Sequence, residues 1–222
     1  MKIKSIFALA AAIAVAATAS AQLSINAGYQ NQSHTQNLKI MSTETKSDTT
    51  MSGFFIGGTY NLQIAGGLGV APGLYFSYAG SSDENTVLGT TTHQTMTDMN
   101  LKVPVLLNYG LDLNGDMKVF CFAGPVVNFG LTLEHKSWLN DDKDNAIKTN
   151  VYDTDPDDDD EDNLSRFDLG VSFGAGFQFQ SYRIYVGYNL GLLDRFNSDS
   201  ENDNLNLTWK SNNLFVGVGM SF

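Results

Sequence analysis

The chain has 222 residues, 42% hydrophobic, 11% aromatic and only 17% charged, with 24 acidic against 13 basic residues and a net charge of -11. That length suits one or two domains. The charge balance excludes nucleic acid as a partner, since phosphate contacts need clustered Lys and Arg; cations or basic partners suit this surface better. A single cysteine, Cys121, excludes a disulfide framework or a multi-thiolate metal centre. With 21 glycines, 4 prolines and few helix formers after residue 21, the composition points to an all-β fold rather than a helical bundle.

Lys2 and Lys4 precede an apolar run from Ile6 to Ala17, and Ala19-Ser20-Ala21 supplies small residues for a signal peptidase. Residues 1–21 are therefore expected to be a cleaved signal peptide, and 22–222 one barrel domain. The apolar run is shorter than the ~20 residues of a membrane-spanning helix, and Gln22 offers no thiol for a lipid. Removing Lys2 and Lys4 leaves 11 basic residues against 24 acidic ones, a net charge of -13.

Downstream, a period of two dominates, as in strands whose successive side chains point to opposite faces. Leu23, Ile25, Ala27 and Tyr29 alternate with polar residues and glycine. Phe54 to Ile64, Leu68 to Tyr78, Met99 to Leu111 and Val119 to Leu133 follow as strands of bilayer-crossing length. From Phe167 to Phe179 every odd position is apolar and every even one is polar or glycine. Tyr182 to Leu192 repeats the pattern, as does Leu214 to Phe222, where Phe215 is the exception. Gly66-Gly67, Asn114-Gly115-Asp116 and Gln180-Ser181 read as tight hairpin turns. Gln32 to Gly53, Ala79 to Thr97, Glu134 to Ser165 and Asp194 to Leu207 read as long polar loops. Short turns at one rim and long loops at the other predict an eight-stranded antiparallel up-and-down transmembrane β-barrel, with short periplasmic turns and long extracellular loops.

Alternation alone does not say which face meets lipid. Fourteen of the 21 glycines fall on the polar face, where small residues suit a narrow eight-strand lumen. Aromatic residues on the apolar face gather at two heights: Tyr60, Tyr109, Tyr182 and Phe222, then Tyr29, Phe54, Tyr78, Phe129 and Phe167. Paired girdles mark the two interfaces of an outer-membrane barrel in contact with lipid. The terminal Phe222, with alternate apolar residues before it, resembles the signal read by the barrel assembly machinery. A soluble periplasmic barrel binding an apolar ligand is the reading with the faces inverted.

The stretches Leu101-Lys-Val-Pro104-Val-Leu-Leu-Asn-Tyr109, Ala123-Gly-Pro125, Phe167-Asp-Leu-Gly-Val-Ser-Phe-Gly-Ala-Gly176 and Tyr188-Asn-Leu-Gly191-Leu192 resemble the PorT-like outer-membrane β-barrel family. The resemblance covers most of the chain after the signal and implies the same barrel fold. The family takes its name from a secretion-associated component, a role the shared motifs do not carry over. Proline gives a strand ladder no N–H, so Pro104 and Pro125 are expected at local bulges.

The remaining motifs favour no chemistry. Gly170-Val-Ser172-Phe-Gly174 fits a hydrolase pattern, but that serine needs a strand-to-helix turn and here lies mid-strand. His34, His93 and His135 fall in three expected loops and lack metal-motif spacing, so exposed loop histidines are expected. The loop from 134 to 165 holds 12 of the 24 acidic residues, including Asp153, Asp155, Asp157, Asp158, Asp159, Asp160, Glu161 and Asp162. Asp158 and Leu164 break the EF-hand rule, leaving a solvated, self-repelling loop as the main reading and weak divalent-cation binding as the alternative. Lys102, Lys118, Arg183 and Asp168 are expected to face the lumen as a plugging charge network. No catalytic, cofactor or metal residue is assigned. The expected role is structural or surface interaction, with an unidentified protein partner. A narrow pore or secretion-associated component is the alternative, and an outer-membrane enzyme the remaining class.

Overall fold

The computed structural model describes residues 21–40, 43–140, 142–152, 163–197 and 205–222. The signal segment 1–20 and the acidic run 153–162 lie outside the described residues. The strands are β1 (Ala21–Ile40), β2 (Thr43–Ala65), β3 (Leu68–Val87), β4 (Thr90–Asn114), β5 (Met117–Leu139), β6 (Ile147–Asn150), β7 (Asn163–Leu164), β8 (Phe167–Phe179), β9 (Tyr182–Gly191), β10 (Phe196–Asn197) and β11 (Leu205–Ser221). A single 3-10 turn occupies Lys143–Asn145. Each of β1 to β5 pairs antiparallel with the next; β5 then pairs with β8, β8 with β9, β9 with β11, and β11 with β1. Eight antiparallel strands thus close a ring, which leaves no free edge within the barrel.

The faces are oriented as lipid contact demands. Leu23, Ile25, Tyr29, Phe54, Ile56, Leu107, Phe173, Ile184, Val216 and Val218 are all exposed on the outer wall, whereas Ser24, Asn26, Gln30, Lys102, Asp168 and Asn213 are buried inside. Cys121 is on the outer face and exposed. Both girdles stand where expected: Tyr60, Tyr109, Tyr182 and Phe222 are exposed near the short-turn rim, and Tyr29, Phe54, Phe129 and Phe167 at the other end of the apolar band. Tyr78 joins the second girdle by stacking on Phe54, with ring centroids 5.5 Å apart.

The long-loop expectation fails for the first two loops. Gln32 to Gly53 contains the paired ends of β1 and β2, which stay in register to Ile40↔Thr43, and Ala79 to Thr97 is a hairpin of β3 and β4 turning at Leu88-Gly89. Above Tyr29↔Phe54 the outward pair becomes Asn31↔Ser52. In water both faces of a strand can be polar, so the apolar period disappears while Thr-rich β-forming sequence carries the ladder onward. The 25 residues of β4 span roughly 80 Å of strand, against the ~9–11 residues one crossing needs. With 13 and 10 residues, β8 and β9 stop near the belt, so the extension is an open sheet of β5-β4-β3-β2-β1-β11, flanked at β5 by β6.

Pro104 and Pro125 produce no bulge. The ladder omits the bridges between 73–74 and 103–104 and between 105–106 and 124–125, yet the partner offset is unchanged on either side. A missing N–H removes a bond without adding a residue to the strand. The register shifts fall instead beside the turns, at Gln63/Ala65 and Asp112/Asn114, and at Met99/Asn100, where β5 carries Leu131 as an extra residue. One inserted residue exchanges the two faces of a strand. Leu133, which alternation places on the lipid side with Phe129, is therefore turned inward and fully buried.

Candidate functional site

Among the described residues, buried polar groups and cavities coincide in the lumen, which is built in tiers. Next to the short-turn rim lies a polar vestibule lined by Gln22, Asn61, Asn108, Lys118, Gln178 and Arg183. Above it an aromatic plug comprises Phe55, Phe120, Phe122 and Tyr185, with Tyr75, Leu106 and Phe215 packed against them. Rings inside an eight-stranded barrel need space, and the inward glycines provide it. A Cβ on Gly28 would stand 2.5 Å from the Phe55 ring, one on Gly174 would stand 2.4 Å from Phe122, and one on Gly217 would stand 2.5 Å from Tyr185. The same holds for Gly57 with Tyr75, Gly176 with Phe120 and Gly187 with Phe215. In all six cases ring and glycine are direct cross-strand partners.

The third tier is polar. Lys102 donates from Nζ to Gln30 Oε1 at 2.9 Å, and Asn213 Nδ2 donates to the same oxygen at 3.1 Å. Asp168, expected in the lumen, is buried there beside Asn128. Higher up, Gln32 Nε2 donates to Asp98 Oδ2 at 2.5 Å, and His34 Nε2 lies 3.4 Å from that oxygen. Burial works against the charge on Asp98, but its contact with His34, a hydrogen bond with Asn100 and the charge of Arg195 outweigh it and hold the carboxyl below its usual range.

His34 is therefore not an exposed loop histidine: it is fully buried on β1, opposite Ser211. Its Nδ1 lies 2.8 Å from Ser211 Oγ and accepts from Trp209 Nε1 at 3.2 Å. The other ring nitrogen, Nε2, lies 2.9 Å from Gln32 Nε2 as well as facing Asp98. The Ser211–His34–Asp98 order imitates a nucleophile, base and orienting acid, but the indole N–H shares the nitrogen a base would need. His93 stacks on Trp138 with centroids 5.2 Å apart and reaches Glu84 at 3.0 Å, and His135 is paired on β5 with Met96. Ser172 is buried mid-strand on β8. Among the described residues, no three His, Cys, Asp or Glu side chains gather where a metal could be held.

An apolar lid covers the polar tier: Leu133, Tyr152, Leu164 and Trp209, with Met96 against them. Tyr152 sits where a side chain on Gly130 would be and is bonded through its hydroxyl to buried Arg195. Arg195 is tied in turn to Ser165 O through Nε at 3.0 Å and to Trp209 O through its backbone N–H at 3.0 Å. Sequence reasoning missed both the aromatic plug and this lid. The plug had a readable signal, rings and glycines at inward positions of neighbouring strands; the lid depends on the Leu131 bulge and left none.

A closed ring of eight antiparallel strands, apolar outside and filled inside, defines a transmembrane β-barrel of the outer membrane. The chain belongs to the outer membrane protein beta-barrel domain family, whose model matches residues 16–197. Among solved structures it is similar to Ail, the attachment invasion locus protein of Yersinia pestis, with 16% identity and a TM-score of 0.41, covering 91% of this chain and 99% of that one. It is also similar to neisserial surface protein A, with 12% identity and a TM-score of 0.37, covering 88% and 97%. Comparison with curated proteins gives no match.

Proposed function

We propose that this chain is a sealed outer-membrane barrel that acts as a structural and surface-interaction protein, holding a polar sheet and an acidic loop clear of the lipid without catalysis. The observation that carries this reading is the continuation of β1 to β5 and β11 beyond the apolar belt, with polar residues on the wall that would otherwise face lipid. Long strands outside a bilayer are not needed to cross it; they provide area for contact. The acidic residues of 134–165 add a negative surface that suits a basic protein partner and, weakly, divalent cations. The assembly machinery is the partner during biogenesis. The PorT-like branch of the family is the finer assignment, supported by the stretches around Pro104, Pro125 and Gly174.

The pore reading is disfavoured by the plug and the lid, which narrow the lumen at two heights. The secretion-associated reading has the resemblance alone behind it. The test uses intact cells producing the full chain or a version in which 81–96 is replaced by a two-residue turn. Equal outer-membrane amounts and equal heat-dependent gel mobility, with loss of adhesion to surfaces in the trimmed version, support the reading. Unchanged adhesion, or a reproducible single-channel conductance from the native barrel, refutes it.

A further inference from the structure

Among the described residues, the lumen cations are held differently: Lys118, in the vestibule, lies 3.4 Å from Asp112. Lys102 has Gln30 as a hydrogen-bond partner and the charges of Asp98 and Asp168 around it. Arg183 has no carboxylate within 4 Å among the described residues. Its Nη1 donates to Ser24 Oγ at 3.3 Å, its Nε is buried without a partner, and its guanidinium lies 5.2 Å from the Phe120 ring centre and 5.6 Å from that of Tyr185. The guanidinium is half-buried, its Nε edge lacks a partner, and its planar fork fits a carboxylate.

Arg183 also stands at a boundary. With Asn108 it lines both the vestibule, of about 70 Å³, and a narrow cavity of about 60 Å³ among the rings. On β9 the lining of that cavity includes Arg183, Tyr185 and Asn189. Its apolar walls are Phe55, Tyr75, Tyr185, Phe215, Leu106 and Val126; its other lining is polar and includes Lys102, whose charge is already met by Asp98 and Asp168. The opposite end of the lumen is covered by the Leu133, Tyr152, Leu164 and Trp209 lid.

We propose that the lumen binds an apolar monocarboxylate entering from the short-turn rim, with its carboxylate on Arg183 and its hydrocarbon among Phe55, Tyr75, Tyr185 and Phe215. One cation without an acidic partner calls for a single negative charge, and the apolar walls call for a hydrocarbon body rather than a phosphate or a sugar acid. The site is independent of the surface role, since it faces the other rim.

The test titrates the full mature chain, folded in lipid nanodiscs and verified by heat-dependent mobility, with octanoate and with octanol, against empty nanodiscs. Saturable octanoate binding at one per barrel, with octanol about tenfold weaker or more, is expected for a charge-assisted contact. Arg183→Gln should weaken octanoate about tenfold and leave octanol unchanged, while Arg183→Lys retains part of the affinity. No saturable octanoate binding into the millimolar range, or equal binding of acid and alcohol, overturns the proposal. So does unaltered affinity in a folded Arg183→Gln barrel. The acid and alcohol comparison on the native chain decides the matter even where a variant fails to fold.

Discussion

Replacing Gly187 by alanine tests whether the plug is held by rings seated over glycines. The added methyl would lie 2.4 Å from Phe215 Cζ, 2.8 Å from its Cε2 and 2.9 Å from Phe122 Cζ, against an ordinary contact of 3.4 Å or more. All three atoms belong to side chains, and Gly187 does not have a left-handed backbone, so the cost is steric alone. Overpacking of this size costs about 1–3 kcal/mol, offset by about 0.4–1 kcal/mol from the stiffer unfolded chain. Phe215→Leu, which shortens the obstructing ring, loses about 1–2 kcal/mol of burial on its own. Together the two changes should cost at least about 1 kcal/mol less than the sum of their separate effects. Urea unfolding of the four proteins in lipid vesicles, followed by tyrosine and tryptophan fluorescence, gives the comparison. Additivity within about 0.5 kcal/mol would refute the ring-over-glycine account.

Two further outcomes follow from the region above the belt. Asp98→Asn should cost about 1–3 kcal/mol at neutral pH, by removing a charged acceptor from Gln32 and His34. Because the folded carboxyl is held low, its stabilisation is present above the unfolded carboxylate pKa of about 4 and is lost as pH falls through the folded value. The gap between the two proteins should therefore close in acid; a gap constant across that range would contradict the assignment. At the tip of the β3–β4 hairpin, Leu88 is fully exposed with φ 51°, a left-handed backbone that asparagine tolerates better. Leu88→Asn should raise stability by up to about 1 kcal/mol and leave assembly unchanged, and a lowered unfolding midpoint would count against it.

The part of the fold in contact with lipid was legible in the sequence because a bilayer imposes a strict rule on alternate residues. Leu23 to Tyr29 and Phe167 to Phe179 obey it, and both strands form where the pattern puts them. Once β1 passes Tyr29 the rule lapses, so Gln32 to Ile40 looks like loop although it is strand. His34 illustrates the consequence: it seems exposed in a polar stretch, yet shares a face with Ser24, Asn26 and Gln30 and is buried with them. Leu133 failed for a different reason, since no local residue type announces the extra residue at Leu131. The lumen charges Lys102 and Asp168 were placed correctly, but the rings filling the space beneath them were not, because Phe55, Phe120 and Phe122 read in isolation as breaks in alternation.

The six ring and glycine pairs bear on how the barrel assembles. Each ring sits opposite a glycine, so sliding the partner strand by two residues keeps every face correct yet sets at least one ring of the pair of strands against a side chain. On β8, moving Phe122 off Gly174 in one direction brings it to Ser172. Hydrophobic alternation is blind to such an error, whereas a notch cut for a ring is not. The plug thus ties register to ring seating on four strand pairs, β1–β2, β2–β3, β5–β8 and β9–β11, and a glycine that looks like empty space in the sequence acts as an address for the strand beside it.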